Sequence, residues 1–169
     1  MKSGQLMRQV INKINGVDFN NLAERRHFGD LYEQILKDLQ SAGNAGEYYT
    51  PRAVTAFMVD RIDPRPGETL DDPACGTGGF LVSVMAYLTE CHSSPELVQE
   101  VQVNGHTEKI YPGDLLEPYR KHIQSDLLYG FDFDVTMLRI AAMNLMLHGI
   151  DNPKVHYQDT LAQSFSERH

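Results

Sequence analysis

Apolar positions along the first forty residues repeat at helical spacing. Phe28, Leu31, Tyr32, Ile35, Leu36 and Leu39 fall 3, 4, 7, 8 and 11 residues apart and mark one face of an amphipathic helix. A shorter pattern from about Leu6 to Ile14 is set off by the turn signal Asn15-Gly16. Residues 1–45 therefore read as a helical arm, the tail of an N-terminal helical domain, and residues 46–169 as a second domain. In that domain Thr50 is placed to N-cap and Pro51 to open a helix running to about Arg61. Asp63-Pro64-Arg65-Pro66-Gly67 ends this helix, and Thr69-Leu70-Asp71 leads into a Gly-rich stretch followed by an apolar helix from Gly79 to Leu88. Propensity alone does not make Thr69–Asp71 a strand; its place before a Gly-rich turn and a helix does.

Between residues 89 and 126 the pattern weakens. Ser93-Ser94-Pro95, Val103-Asn104-Gly105 and Tyr111-Pro112-Gly113 read as turns between short pieces, with a helix from about Pro118 to Ser125. The rhythm then returns. Leu127 to Phe131 reads as a buried strand. Asp134 is the N-cap of a helix whose apolar face is Val135, Leu138, Ala141, Ala142, Leu145 and Met146, with Gly149 at C′ and Lys154–Tyr157 as a third strand. Strand and helix alternate, which predicts an α/β fold built on a parallel sheet.

Composition narrows the class. The chain has 169 residues, 41% hydrophobic and 22% charged, enough to bury roughly 70% of its unfolded surface in one core. Its longest nearly apolar run, Gly79 to Leu88, is far short of the roughly 20 residues needed to cross a bilayer, and there is no signal-peptide pattern at the start. The expectation is a soluble cytoplasmic protein with no membrane partner. Cys75 and Cys91 are expected to stay reduced, and neither His nor Cys falls at metal-ligand spacing. A net charge of −8 argues against a DNA-gripping surface on this chain, so any basic surface for DNA must come from elsewhere.

The candidate chemistry centres on Asp72-Pro73-Ala74-Cys75-Gly76-Thr77-Gly78-Gly79-Phe80. Gly76, Gly78 and Gly79 permit a tight turn and close approach of the backbone to a ligand; a purely structural turn is the competing reading. No Lys-Ser or Lys-Thr follows, which excludes a Walker-type phosphate cradle. A dinucleotide GxGxxG starting at Gly76 would need glycine where Leu81 stands. Asp132, at the end of the second strand, is placed to accept from both hydroxyls of a ribose, with helix capping as the alternative, better suited to Asp134. Asp159, after the third strand, can meet an adenine amino group or simply close a surface turn. Three acids after three strands and one Gly-rich turn suit a nucleoside ligand without phosphate, namely S-adenosylmethionine.

These residues resemble the modification (methyltransferase) subunits of type I restriction-modification enzymes, within the adenine-N6 DNA methyltransferases. The resemblance rests on Glu47-Tyr48-Tyr49-Thr50-Pro51-Arg52, on Asp72 to Phe80, on Asp132, on Arg139 to Leu145 with His148-Gly149, and on Asp159-Thr160-Leu161. It spans about residues 19 to 162, with the Glu-Tyr-Tyr-Thr-Pro block ahead of the loop as in the gamma group of amino-methyltransferases. It implies a Rossmann-like S-adenosylmethionine-dependent methyltransferase sheet, incomplete here and preceded by the short helical arm. The implied cofactor-binding residues are Glu47, Tyr48, Tyr49, Thr50, Pro51, Arg52, Asp72, Gly76, Thr77, Gly78, Gly79, Asp132 and Asp159. Thr50 with nearby backbone would bind the methionine carboxylate, Asp72 its ammonium, and Tyr48 and Tyr49 would wall the pocket or pack in the core; Arg52 would join the site or stay a solvated first-turn charge. Implied partners are DNA, a specificity subunit and a restriction subunit.

The resembled family acts on adenine through an Asn-Pro-Pro-Phe type segment that holds and stacks a flipped base. No such segment occurs here; Asn152-Pro153-Lys154-Val155 and Asp63-Pro64-Arg65-Pro66 lack paired prolines and an aromatic. No catalytic residue is therefore assigned. The expectation is a chain that binds cofactor but cannot methylate DNA alone. The polar finish from Gln163 to His169 favours a piece of a longer subunit over a degenerate remnant, since a three-strand parallel sheet would leave an open edge. Two other readings compete: an assembly module whose arm docks a specificity subunit, and a nicotinamide-dependent oxidoreductase, disfavoured by the missing glycine.

Overall fold

The computed structural model describes residues 4–16, 28, 29, 31, 32, 34, 50–103 and 106–162. The chain divides into two compact units, Met1–Ala45 and Gly46–His169. In the first, α1 (Gly4–Ile14) ends just before the Asn15-Gly16 turn and exposes Leu6, Met7, Val10, Ile11 and Ile14 along one face. Phe28, Leu31 and Tyr32 are helical; Ile35, Leu36 and Leu39 of the same pattern lie outside the described residues.

The second unit begins with α2 (Arg52–Ile62), one residue later than the sequence predicts. Pro51 itself is the N-cap, with ψ 140°, and its carbonyl accepts from the Val54 and Thr55 amides at 2.8 and 3.1 Å. Thr50 supplies no cap, because an extended Pro51 cannot be the first helical residue. The helix ends on Asp63 in the left-handed region (φ 52°), where the Tyr87 hydroxyl donates to the Asp63 carboxylate at 2.8 Å.

Strand β1 (Leu70–Asp72) follows, then α3 (Gly79–Cys91). The β1 to β4 connection holds a 3-10 turn (Pro95–Leu97), the antiparallel pair β2 (Gln99–Val103) and β3 (His106–Ile110), a second 3-10 segment (Asp114–Tyr119) and α4 (Arg120–Ser125). The hairpin corrects a reading of this region as turns between unassigned pieces. Val101 and Val103 alternate with polar residues and share a face with Ile110, but three apolar residues in two five-residue strands give only a weak strand signal. The predicted helix at Pro118 starts instead at Arg120, since Pro118 belongs to the 3-10 segment.

Strand β4 (Leu128–Asp132), α5 (Val135–Leu147) and β5 (Lys154–Tyr157) complete the described fold. As expected, Asp134 caps α5, its carboxylate accepting from the Thr136 amide at 2.7 Å, and Gly149 adopts φ 94° after the helix end. The main sheet is parallel with order β1-β4-β5, Asp72 standing beside Gly130 and Asp132 beside Tyr157. Helices α3 and α5 pack on this sheet and on each other, and α2 packs on α3. The core is built from Leu81, Val82, Val84 and Leu88 of α3, Leu127 and Leu128 at the start of β4, and Ala141 and Leu145 of α5. The contact between α2 and α3 joins buried Val59 to the apolar core and adds a polar pair, buried Thr55 and Ser83, whose hydroxyls share a hydrogen bond of 2.8 Å.

Close packing makes Gly130 a steric requirement. A Cβ there would stand 3.0 Å from Cys75 Sγ and 3.1 Å from Leu81 Cδ1. Gly130→Ala is expected to destabilise the fold by about 1–3 kcal/mol, and Asp134→Ala, which removes a helix cap, by about 1 kcal/mol. Equilibrium urea unfolding measures both; a Gly130→Ala chain as stable as the parent contradicts the packing described.

Candidate functional site

Parallel strands bring their carboxyl ends to one edge, and three loops leave the sheet there. Asp72 is the last residue of β1 and Asp132 the last of β4; the residue after Tyr157, Gln158, donates its amide to the Asp132 carbonyl at 3.0 Å. The Gly-rich loop is tied to β4 by two bonds. The Cys75 amide donates to Phe131 O at 2.9 Å, and the Gly76 amide donates to Asp132 Oδ2 at 3.0 Å. The other Asp132 oxygen accepts from the Asp134 amide at 2.8 Å. Each carboxylate oxygen accepts more than one hydrogen bond, so these contacts leave Asp132 acceptor capacity for a ligand. Asp132 thus takes part in the turn that precedes α5, while Asp134 makes the helix cap.

The loop itself is a tight turn: Gly76 has φ 51° and Gly78 φ 78°, and the Gly78 amide closes onto Cys75 O at 2.7 Å. Gly78 lies against α5, where an added Cβ would stand 3.4 Å from Ala141 Cβ. Thr77 is held through its carbonyl, which accepts from the Asn144 amide at 3.0 Å. Gly79 opens α3, whose N-cap is Gly78 with no capping side chain. The first-turn amides of α3, at the positive end of the helix dipole, therefore have no capping side chain.

Arg52 is not a solvated surface charge. Its guanidinium donates to Gly79 O and to Ser83 Oγ, both at 3.1 Å, which fixes the start of α2 to the end of the Gly-rich loop. Thr50 and Pro51 stand immediately before it, and Glu47, Tyr48 and Tyr49 lie outside the described residues. Beyond β5, the Thr160 hydroxyl donates to Pro73 O at 2.9 Å, joining the third loop to the first. Asp159 is exposed, and its carboxylate accepts from the Leu161 amide at 3.0 Å, the bond of an ordinary turn.

Electrostatically this edge is acidic. Burial, and then the facing Asp132 charge, raise the Asp72 carboxyl above the usual aspartate value against the lowering effect of the Ala74 amide bond. The buried Cys75 thiol, desolvated and close to the same two acids, is pushed up to about 12 and so stays protonated. Among the described residues no basic side chain forms an ion pair with either acid; the ion pairs there are Arg61–Asp60 and Arg120–Glu117. The arrangement suits a ligand that brings its own positive charge. Among the same residues no cluster of His, Cys, Asp and Glu is arranged to hold a metal ion, and no helix is long and apolar enough to cross a membrane.

Two residues outside the predicted cofactor-binding set stand out. Phe133, directly after Asp132, is 73% exposed at the mouth of the site, and buried Asn144 reaches the loop from α5. An apolar residue between a strand-end acid and a helix cap was the available signal for Phe133; Asn144 lies within the Arg139 to Leu145 block of the family resemblance, which gave it no role of its own. A separate cleft of about 570 Å³, lined by residues including Asp63, Arg65, Tyr87 and His92, contains none of the predicted site residues.

Comparison with known proteins agrees with this geometry. The model of the N-6 DNA Methylase family matches residues 23–169. The chain belongs to the N-6 DNA methylase family. It is 44% identical over 167 residues to the Escherichia coli type I restriction enzyme EcoEI methylase subunit, covering 98% of this chain and 30% of that one. To the EcoKI methylase subunit of Escherichia coli K12 it is 28% identical over 152 residues, 87% of this chain and 26% of the other. Among solved structures it is similar to a modification subunit of a putative type I restriction enzyme from Vibrio vulnificus YJ016, with TM-score 0.71 and 34% identity over 100% of this chain and 31% of that one. A chain from a type I R-M system structure on complex assembly and conformational transition gives TM-score 0.74 and 28% identity, covering 95% and 28%. The α/β fold and the resemblance to type I modification subunits therefore both hold, and this family member spans about a third of the length of the relatives it matches.

The raised Asp72 carboxyl has a thermodynamic sign. Below the ordinary aspartate pKa both folded and unfolded chains are protonated there; as pH rises from that value through the raised folded one, the fold holds the proton longer and loses stability. Asp72→Asn, whose Oδ1 keeps the Ala74 amide bond, should therefore be more stable than the parent at neutral pH, with the gain vanishing near about pH 4. Urea unfolding across a pH series checks this; equal or lower stability at neutral pH contradicts it.

Proposed function

We propose that this chain is the S-adenosylmethionine-binding part of a site-specific DNA adenine-N6 methyltransferase, the modification subunit of a type I restriction-modification system. The observation that carries the reading is the pairing of Asp72 and Asp132 at adjacent strand ends, without a described cationic partner, around the Gly76–Gly79 turn. Asp132 accepts from the ribose hydroxyls, and Asp72 from the methionine ammonium. Thr50 with the α3 first-turn amides receives the carboxylate. Glu47, Tyr48, Tyr49, Pro51 and Arg52 border the methionine end, and Asp159 meets the adenine amino group. The exposed Phe133 ring gives the adenine an apolar wall. When bound, S-adenosylmethionine supplies the methyl group on its sulfonium.

Adenine chemistry requires a further segment of Asn-Pro-Pro-Phe type that this sequence does not contain, so the chain alone does not methylate DNA. Its charge of −8 leaves the phosphate backbone to other surfaces, supplied with the specificity and restriction subunits in a cytoplasmic complex. The exposed apolar face of α1 favours a second role, docking of a partner subunit through the helical arm, which would stand even without cofactor binding.

Calorimetric titration of the chain with S-adenosylhomocysteine is expected to show one saturable site. Asp132→Ala should weaken it by about 10- to 100-fold, the effect of losing a charge-assisted hydrogen bond. A folded parent that binds neither this ligand nor S-adenosylmethionine overturns the reading.

A further inference from the structure

Helix α5 meets the Gly-rich loop with two residues one turn apart. Ala141 has no exposed surface, and the absent Cβ of Gly78 is what lets the loop lie against it. Asn144, 2% exposed, donates its side-chain N–H to the Thr77 carbonyl across 67 residues of sequence. Its other end is unusual: Asn144 Oδ1 is buried and has no hydrogen-bond partner. A buried amide oxygen without a donor opposes folding, and an apolar side chain at this position would avoid that penalty. The position therefore pays in stability for what its N–H does.

That N–H holds one peptide. The Thr77–Gly78 unit is gripped at both ends, its C=O by Asn144 and its N–H by Cys75 O. One of its two hinges is Gly78, at φ 78°, where the lack of a Cβ would otherwise let the unit turn with less steric resistance. Immediately after it α3 begins, with no capping side chain over its first amides.

We propose that Asn144 is a positioning residue for cofactor binding: it locks the Thr77–Gly78 peptide so that the loop and the first turn of α3 are presented to the ligand in a fixed arrangement. The inference rests on the S-adenosylmethionine reading of the site. Asn144 is buried and bonded to the loop, so its effect reaches the site through loop geometry.

The test compares the 169-residue chain with its Asn144→Ala and Asn144→Leu variants. S-adenosylhomocysteine affinity is measured by calorimetry, thermal midpoint by calorimetric unfolding, and amide hydrogen exchange by mass spectrometry. In Asn144→Ala the lost hydrogen bond is offset by removal of the orphaned oxygen, so the midpoint stays within about a few degrees of the parent. Exchange accelerates at residues 76–80 and not across the sheet, and affinity falls about tenfold or more. Asn144→Leu keeps the bulk but has no donor, and its affinity falls at least as far. Affinity within about twofold of the parent in either folded variant, unchanged exchange at residues 76–80, or failure of both variants to fold overturns the proposal, the last by making Asn144 structural. A parent that binds no ligand overturns the cofactor reading alone, and the exchange measurement then still decides whether Asn144 holds the loop.

Discussion

The Asp132 carboxylate joins parts of the chain that are far apart in sequence. One oxygen holds the Gly76 amide, and so the Gly-rich loop; the other holds the Asp134 amide, and so the turn into α5. A carboxylate accepting backbone N–H bonds is a strong anchor in a partly buried setting, and here it fixes the carboxyl ends of β1 and β4 relative to each other. The remaining features of the site depend on that anchor. Gly78 can lie on Ala141 and Asn144 can reach Thr77 only if the loop is drawn back over the strand ends. Thr160 can reach Pro73 only if the first loop sits beside the third.

The anchor also concentrates negative charge. Asp72 and Asp132 stand close enough for one to raise the proton affinity of the other, and no described basic residue forms an ion pair with either. In an enzyme whose ligand carried phosphate this would be a defect. A ligand with an ammonium and a sulfonium would complement it, offsetting the loss of stability that accompanies two facing acids. The chain's net charge of −8 has the same sign as this edge.

Much of the fold was legible in the sequence. Lys154–Tyr157 and the Asp134 cap were read as they stand, and β4 was displaced by a single residue, because each couples a clear apolar rhythm to turn chemistry. Strand β1 was found only through the Gly-rich turn behind it. The β2–β3 hairpin escaped because its short strands hold only Val101, Val103 and Ile110 as apolar residues, too few for a clear alternation, and the start of α2 moved because Pro51 serves as cap and not as first helical residue. For the site, residue types at strand ends marked Asp72, Asp132 and the glycines. What could not be read was the hydrogen bonding between them: the Gly76–Asp132 and Thr77–Asn144 contacts span 56 and 67 residues, and no local pattern encodes them. Arg52, which sequence left between site and solvent, is committed by its bonds to Gly79 and Ser83.

The central claim is that one ligand site lies at the carboxyl ends of β1 and β4. Amide chemical-shift mapping of the isotope-labelled chain during titration with S-adenosylhomocysteine tests it most directly. The account predicts saturable shifts at Gly76 to Phe80 and at Asp132 to Asp134, with little change in the cleft around Asp63, Tyr87 and His92. Shifts centred on that cleft, or none in a folded chain at saturating ligand, would contradict it.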